Sequence, residues 1–172
     1  NKTDLQLLFI GNGYLRKGLK RLLLALATWA KTDFHLTVIG KEKKIKAYKK
    51  LVKKLHLQQK VLFLGAQPAV KEFYALADVL AIPSYYDPFA NVTTEALAMG
   101  VFVLSSDQNG GSEILTDTNG CIFKNDLTPA LNAIQHKYKT TASAQALRAS
   151  VKSFDFPNQL NRYLQVLLCR TD

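Results

Sequence analysis

The sequence alternates short apolar runs with amphipathic stretches, and most of the apolar runs stop at a glycine or a proline. This order is typical of parallel strands joined by crossover helices. The predicted strands are Leu5–Ile10, Phe34–Ile39, Val61–Leu64, Asp78–Ile82, Val101–Ser105 and Cys121–Phe123. The predicted helices are Leu19–Ala30, Lys43–His56, Val70–Leu76, Asn91–Met99, Thr128–Tyr138, Thr141–Ser150 and Asn158–Leu168. The fold class is therefore α/β, a Rossmann-like doubly wound parallel sheet.

The length and composition suit one domain with a full core, because nearly half of the 172 residues are apolar. No apolar run is long enough to span a membrane, and Asn1–Gln6 lacks the order of a signal peptide. The chain starts without Met and enters a strand almost at once, so we expect a domain cut from a longer protein. Cys121 and Cys169 have no metal-ligand spacing and are expected to be reduced core residues of a cytosolic protein.

The net charge of +10 implies an anionic partner, either nucleotide phosphates, nucleic acid or an acidic membrane surface. Nine lysines and a single acid, Glu42, fall between Lys41 and Lys60. This segment either attracts an anionic membrane or acidic acceptor, or is the solvated outer face of a crossover helix. We favour the solvated face, because the apolar stripe is narrow and is used by the core.

The first loop at the carboxyl edge of the predicted sheet runs from Gly11 to Gly18, and ligands bind at this edge. Its glycines let the backbone approach a ligand, and the next helix offers N–H groups to a phosphate. Lys17 opposes the helix dipole, which a bound phosphate would explain. The dinucleotide fingerprint fails, because Arg16 replaces its third glycine and Lys41 follows the second strand where an acid is expected. On this loop alone, a plain turn with a solvated lysine is favoured.

The loop after the fourth strand, Ser84 to Glu95, contains two carboxylates eight residues apart, Asp87 and Glu95. Helix N–H groups near Asn91 lie between them and could hold a diphosphate, while the carboxylates accept hydrogen bonds from sugar hydroxyls. Alternatively, Asn91 caps the helix and Glu95 favours its dipole. The residues alone leave both interpretations open, although capping does not explain the Tyr-Tyr-Asp-Pro-Phe loop.

A glycine pair follows the fifth strand, within Gly110–Ile114. This segment either contacts a ligand or begins a helix, and we favour the helix start. The sequence has no Asp-x-Asp pair and no His or Cys cluster that would indicate a metal site. We therefore predict no metal ligand.

Taken in order, these segments resemble the C-terminal domain of retaining glycosyltransferases of family 4 (glycosyl transferases group 1), which have the two-Rossmann-domain GT-B fold. The match runs from Leu7 to about Ile114. The matching pieces are Phe9-Ile10-Gly11 with Lys17-Gly18, Leu36 to Gly40, Val61 to Gly65, Tyr74 to Asp78 with Pro83-Ser84, Asp87 with Glu95-Ala96 and Gly100, and Gly110-Gly111. The first loop looks most like the branch that glucosylates the lipopolysaccharide core.

The resemblance implies that residues 1–172 form the nucleotide-sugar-binding half of a two-domain enzyme, with the N-terminal acceptor domain absent from this chain. It implies retaining transfer of a hexose from UDP-glucose or another UDP-hexose to a glycan or glycolipid such as lipopolysaccharide core. The expected place is the cytoplasm or the inner face of the cell membrane, with peripheral contact to anionic lipid. No metal or other cofactor and no nucleic-acid partner are expected.

The resemblance also implies roles for individual residues. Lys17 would bind the donor diphosphate, Asp87 the sugar hydroxyls and Glu95 the ribose hydroxyls, and these three would be the catalytic residues. The other nucleotide-sugar contacts would be Gly11, Asn12, Gly13, Arg16, Gly40, Lys41, Gly65, Ala66, Gln67, Phe89, Ala90, Asn91 and Val92.

Three positions depart from the family's usual residues. Asn12 replaces a basic residue, which leaves the diphosphate to Lys17 with help from Arg16. Asp87 replaces a longer Glu, so it meets different sugar hydroxyls, and Ala90 replaces a glycine and narrows the backbone approach.

Three other functions stay open. A nucleotide-sugar 2-epimerase shares the two-domain fold, but the spacing of Asp87 and Glu95 argues against it. A nucleic-acid or membrane-surface module would be driven by the lysines alone. A nicotinamide dehydrogenase domain is disfavoured by the broken fingerprint.

Overall fold

A computed structural model describes residues 4–29, 33–140 and 143–168. The strands are β1 (Leu5–Ile10), β2 (Phe34–Ile39), β3 (Val61–Gly65), β4 (Val79–Ile82), β5 (Phe102–Ser106) and β6 (Gly120–Phe123). The helices are α1 (Leu19–Thr28), α2 (Ile45–Lys54), α3 (Lys71–Leu76), α4 (Val92–Met99), α5 (Thr128–Thr140), α6 (Ala144–Ser150) and α7 (Phe156–Leu168). Short 3-10 helices cover Gly110–Ile114 and Lys152–Phe154.

The six strands form one parallel sheet in the order β3-β2-β1-β4-β5-β6. The predicted doubly wound, Rossmann-like architecture is confirmed. The order reverses between β1 and β4, so the loops that follow these two strands diverge and leave a crevice between them. Ligands bind at such a switch point in folds of this kind.

The core lies on both faces of the sheet, which explains why the central strands are continuous apolar runs. All five residues of β5 and all four of β4 are buried. Helix α1 contributes leucines at helical spacing, so that one stripe of the helix is apolar. Its buried side chains are Leu19, Leu22, Leu23 and Leu26.

The predicted basic helix Lys43–His56 is shorter in the structure, where it begins at Ile45 and ends at Lys54. Before the helix, the Glu42 carboxylate accepts hydrogen bonds from the backbone N–H of Tyr14 (2.7 Å) and of Lys44 (2.8 Å), which ties these residues to the first loop. After it, His56 has a φ of 57°, a left-handed conformation that ends the helix. Local periodicity could not predict either boundary.

The strands Leu5–Ile10 and Phe34–Ile39 have the predicted bounds, and the other predicted elements are present with ends shifted by at most three residues. Cys121 is buried on β6, as predicted. Ala30, Thr141 and Cys169 lie outside the described residues. None of the helices in the described ranges is both long and apolar enough to cross a membrane.

Candidate functional site

Three of the predicted site residues meet at the switch point in one charged cluster. The Lys17 ammonium donates to Asp87 Oδ2, and Arg16 Nη1 lies 3.4 Å from the same oxygen. Arg16 also donates to the backbone carbonyl of Tyr86 at 2.9 Å. The side chains of Lys17 and Asp87 are only 14% and 7% exposed. Two cations therefore face one carboxylate, which leaves the cluster with a net positive charge.

The two loops that carry this cluster are in direct backbone contact at Gly18. A Cβ atom on Gly18 would lie 1.6 Å from the Pro83 carbonyl oxygen, and Gly18 has a φ of 74°. The Tyr85 N–H also donates to the Arg16 carbonyl at 2.9 Å. Only glycine fits here, because the conformation is left-handed and the neighbouring backbone leaves no room for a side chain.

Arg21, which the sequence interpretation missed, joins the same two loops. Its guanidinium donates to the carbonyls of Pro83 (2.8 Å) and Ser84 (2.6 Å) and lies over the rings of Tyr85 and Phe123, 4.6 and 4.8 Å from their centres. Burial lowers its pKa. The available signal was its position on α1, one helical turn after Lys17.

Gly11 makes room for the side chain of Lys17, a role that the sequence did not predict. A Cβ atom there would lie 3.1 Å from Lys17 Cγ and 3.2 Å from Lys17 Cδ. The aliphatic stem of Lys17 therefore runs across Gly11 on its way to Asp87. In this structure, Gly11 provides room for the lysine.

The loops after β1, β2 and β3 are joined by short hydrogen bonds. Asn12 Oδ1 accepts from the Lys41 N–H at 2.7 Å, the Gly13 N–H donates to the Lys41 carbonyl at 3.1 Å, and the Gly40 N–H donates to the Gly65 carbonyl at 2.8 Å. Asn12 therefore uses its side chain to hold the second loop. These bonds bring five predicted ligand contacts from three loops to one edge of the sheet.

Tyr14, another residue that the sequence interpretation missed, stabilises the junction of these loops from within the core. It is fully buried, its hydroxyl donates to the Gly40 carbonyl at 3.0 Å, and its ring packs edge-on against Phe9 and Tyr48. Burial, with smaller contributions from the Glu42 carboxylate and from Tyr48, raises its pKa to about 12. The aromatic residue within the first loop was the available signal.

A cleft of about 830 Å³ opens beside these three loops. Its lining combines apolar side chains with four lysines and one glutamate, which makes it suitable for a flat ring beside an anionic group. Gln67, also predicted here, instead donates its side-chain amide to the Leu64 carbonyl at 2.8 Å. The lining residues are Gly13, Gly40, Lys41, Glu42, Lys43, Lys44, Ile45, Lys49, Phe63, Leu64, Gly65 and Ala66.

Glu95 lies in the first turn of α4, as predicted, and is held by a buried tyrosine. The Tyr74 hydroxyl donates to Glu95 Oε2 at 2.8 Å. Burial raises the pKa of Tyr74, and the hydrogen bond to Glu95 raises it further. Glu95 makes no ion pair with Lys17, so the predicted catalytic residues form two groups, one at the switch point and one on α4.

Asn91 stands at the N-cap position of α4, but it does not cap the helix with its side chain. Asn91 has helical backbone angles (φ −53°, ψ −30°), and its side chain makes no capping hydrogen bond. The N–H groups of Thr93 and Glu95 donate to the carbonyls of Ala90 and Asn91. For the amides of Asn91 and Val92, no acceptor is found within the described residues. They are among the first N–H groups of α4, which have no partner within the helix itself.

Ala90 faces inward, whereas Phe89 and Asn91 on either side of it are exposed. Ala90 is 3% exposed, and its N–H donates to Asn109 Oδ1 at 3.0 Å. In this conformation, the Ala90 N–H is therefore used within the protein. Gly110–Ile114 forms a 3-10 helix, which confirms the predicted helix start. Across the described residues, no group of three His, Cys, Asp or Glu side chains is placed to hold a metal ion.

The sheet order and the loops at its switch point define a Rossmann-like domain, one half of a GT-B fold. Residues 1–149 match the sequence profile of the glycosyl transferases group 1, and the chain belongs to this family. Escherichia coli (strain K12) lipopolysaccharide glucosyltransferase WaaG is 33% identical over 116 residues, which are 66% of this chain and 31% of that protein. The chain thus spans about a third of the length of the curated relatives that it matches first.

Solved structures share the fold. A crystal structure of WaaG superposes with a TM-score of 0.77 at 28% identity, over 87% of this chain and 43% of that one. The Anabaena protein HepE, solved in complex with UDP and glucose, superposes with a TM-score of 0.81 at 21% identity, over 95% of this chain and 48% of that one.

Proposed function

We propose that the chain is the donor-binding domain of a retaining hexosyltransferase of family 4 that uses UDP-glucose or another UDP-hexose. The observation that carries this proposal is the placement of Lys17 and Arg16 against Asp87 at the switch point. The acceptor would be a glycan or glycolipid such as lipopolysaccharide core. The 33% identity to a lipopolysaccharide glucosyltransferase supports this choice.

The proposed chemistry is stabilisation of a departing nucleoside diphosphate. Negative charge develops on the diphosphate as its bond to the sugar breaks, and fixed positive groups at that place lower the barrier. Lys17, Arg16 and the amides of Asn91 and Val92 would supply this positive potential. Asp87 would accept hydrogen bonds from the sugar hydroxyls. In this proposal these groups take the place of a metal ion.

The nucleoside would occupy the cleft beside the first three loops. Phe63 and Leu64 offer an apolar surface for the base, and Lys41 lines the same cleft. Glu95, oriented by Tyr74, would hold the ribose hydroxyls. The UDP complex of HepE, which has the same fold, supports a uridine donor.

The acceptor would bind mainly to an N-terminal Rossmann domain that is not part of this chain, and closure of the two domains would complete the site. The chain alone would then bind nucleotide but turn over poorly. We propose that the enzyme is cytoplasmic, with peripheral contact to the inner face of the cell membrane. A nucleic-acid partner is not part of the proposal.

Calorimetry on the full-length protein that contains this chain, titrated with UDP, UDP-glucose and GDP-mannose, tests the proposal. We expect UDP and UDP-glucose to bind, and Lys17→Ala to weaken binding about a hundredfold or more. Lys20→Ala, at an exposed position on α1, is the matched control and should bind normally. Absence of binding to all three ligands, or equal binding by Lys17→Ala and the wild type, would overturn the proposal.

Product analysis separates the proposed transferase from a 2-epimerase, and salt dependence separates it from a module that binds through its lysines. A 2-epimerase converts a UDP-sugar without an acceptor, whereas a transferase releases UDP only when an acceptor is present. A module that binds nucleic acid or membrane through its lysines loses affinity steeply with salt and is unaffected by changes at Lys17 and Glu95.

A further inference from the structure

Asn109 is a fully buried polar residue between β5 and the 3-10 helix that follows it. Its Oδ1 accepts hydrogen bonds from the N–H groups of Ala90 (3.0 Å) and Gly111 (3.1 Å). Its Nδ2 donates to Thr93 Oγ1 (3.3 Å) and Ser105 Oγ (3.0 Å). Because backbone amides can only donate, the orientation of the Asn109 side chain is determined, and both of its polar atoms are fully used.

The backbone beside Asn109 holds Asp87 from both sides. Asp87 and Asn109 form an isolated parallel bridge, in which the Asp87 N–H donates to the Gln108 carbonyl (3.0 Å) and the Gly110 N–H donates to the Asp87 carbonyl (2.9 Å). A Cβ atom on Gly110 would lie 1.9 Å from the Pro88 carbonyl oxygen. This segment and the Asp87 loop therefore pack as one unit.

We infer that Asn109 is a positioning residue for the donor, which joins the Asp87 loop to the first turn of α4 and directs the diphosphate to the amides of Asn91 and Val92. Resting on the proposed function, the inference adds a buried residue that sets the geometry of the phosphate-binding groups without touching the ligand. The Ala90 N–H donates to Asn109, so it is not one of the groups that bind the phosphates. The bond from Asn109 to Thr93 keeps the next two amides in a constant position relative to Asp87.

The contacts of Asn109 predict a selective effect. All of its partners belong to the Asp87 loop, α4, β5 or the 3-10 helix, and none lines the cleft beside Gly40 and Gly65. A change at Asn109 should therefore alter the binding of the diphosphate and the transfer of the sugar. It should leave the binding of the nucleoside unchanged.

The test uses the full-length enzyme and the variant Asn109→Asp, which keeps the size and the acceptor oxygens but loses the Nδ2 donors. We expect kcat with UDP-glucose to fall about ten- to a hundredfold and the inhibition constant of UDP to rise, with that of uridine unchanged. Thr93→Val removes the hydroxyl acceptor at nearly constant shape and should behave in the same way. Thr93→Ser keeps the hydroxyl and should retain a nearly normal kcat and a nearly normal inhibition constant for UDP.

Unchanged kcat and UDP inhibition in Asn109→Asp would overturn the inference. An equal loss of UDP and uridine binding would also overturn it, because that result indicates a purely structural role. If the wild type binds no nucleotide, the proposed function fails, and hydrogen exchange still decides the role of Asn109. Asn109→Ala, which removes the Oδ1 acceptor, must then speed exchange at the Ala90 amide while leaving exchange at Gly40 and Gly65 unchanged. No acceleration at Ala90, or the same acceleration at all three amides, would contradict the inference.

Discussion

Lys17 and Asp87, seventy residues apart in the chain, form an ion pair at the switch point of the sheet. Both side chains are largely buried, and Arg16 approaches the same carboxylate oxygen. The Asp87 carboxylate is therefore paired with the Lys17 ammonium group, which the proposed function assigns to the donor diphosphate. Binding of UDP has to compete with Asp87 for Lys17.

This competition predicts that Asp87→Asn binds UDP more tightly than the wild type while losing sugar transfer. The amide side chain has no charge, so Lys17 becomes available to the phosphates, yet the acceptor for the sugar hydroxyls is weakened. Calorimetry with UDP and a turnover assay with UDP-glucose measure the two effects. Asp33→Asn is the control, because Asp33 lies at the opposite edge of the sheet and pairs with Lys60. Weaker UDP binding by Asp87→Asn would contradict the competition.

The contact between Gly18 and Pro83 predicts a large difference between two glycine substitutions in one loop. Gly13 and Gly18 have similar positive φ values, 69° and 74°, so alanine costs a similar backbone strain of about 1 kcal/mol at each. A Cβ on Gly13 meets open space, whereas one on Gly18 collides with the Pro83 carbonyl. Urea unfolding should show that Gly18→Ala is less stable than Gly13→Ala by about 1–3 kcal/mol. Equal stabilities would mean that the two loops separate at little cost.

The bond from Tyr74 to Glu95 predicts a change in donor affinity without a loss of chemistry. In Tyr74→Phe, Glu95 loses the donor that orients its carboxylate. We expect KM for UDP-glucose to rise several-fold, as for a loss of about 1 kcal/mol, with kcat nearly unchanged. Steady-state kinetics make the measurement, and Tyr163→Phe, at an exposed position on α7, is the control. A fall in kcat at constant KM would show that Tyr74 acts on the transition state.

The buried hydroxyl of Tyr14 predicts a specific dependence of stability on alkaline pH. Burial raises its pKa from 10.0 to about 12, so the folded state keeps a proton that the unfolded state releases. The resulting stabilisation is complete below pH 10.0 and is lost as the pH rises through about 12. Tyr14→Phe should be less stable near neutral pH, because the Gly40 carbonyl loses its partner, but should lose less stability at alkaline pH. The urea midpoints of the wild type and of Tyr14→Phe are measured from neutral to alkaline pH. Parallel pH profiles for the two proteins would contradict a raised pKa of Tyr14.

The architecture could be predicted from the sequence because its signals are local. A strand such as Leu5–Ile10 is an apolar run stopped by Gly11, and the spacing of Leu19, Leu22 and Leu26 is that of one helix face. Parallel crossovers then restrict the topology to a few choices. The carboxyl edge of the sheet, and with it Lys17, Asp87 and Glu95, follows from this order of elements.

The partners of the site residues depended on contacts between distant parts of the chain. Asn91 has the residue type and the position of a helix cap, yet its side chain makes no capping hydrogen bond. Ala90 donates its N–H to Asn109. Helix periodicity could not predict the ends of α2, which depend on Glu42 and on the left-handed backbone at His56.

The sequence by itself determined the order of strands and helices and the edge at which the candidate ligands gather. It did so because strand and helix periods depend on neighbouring residues. Only the tertiary structure decided that Lys17 pairs with Asp87, that Gly11 makes room for the lysine, and that Asn109 joins the Asp87 loop to α4. The physical reason is that a buried polar group bonds to whichever partner the fold brings within about 3 Å, and these partners lie far apart in the sequence.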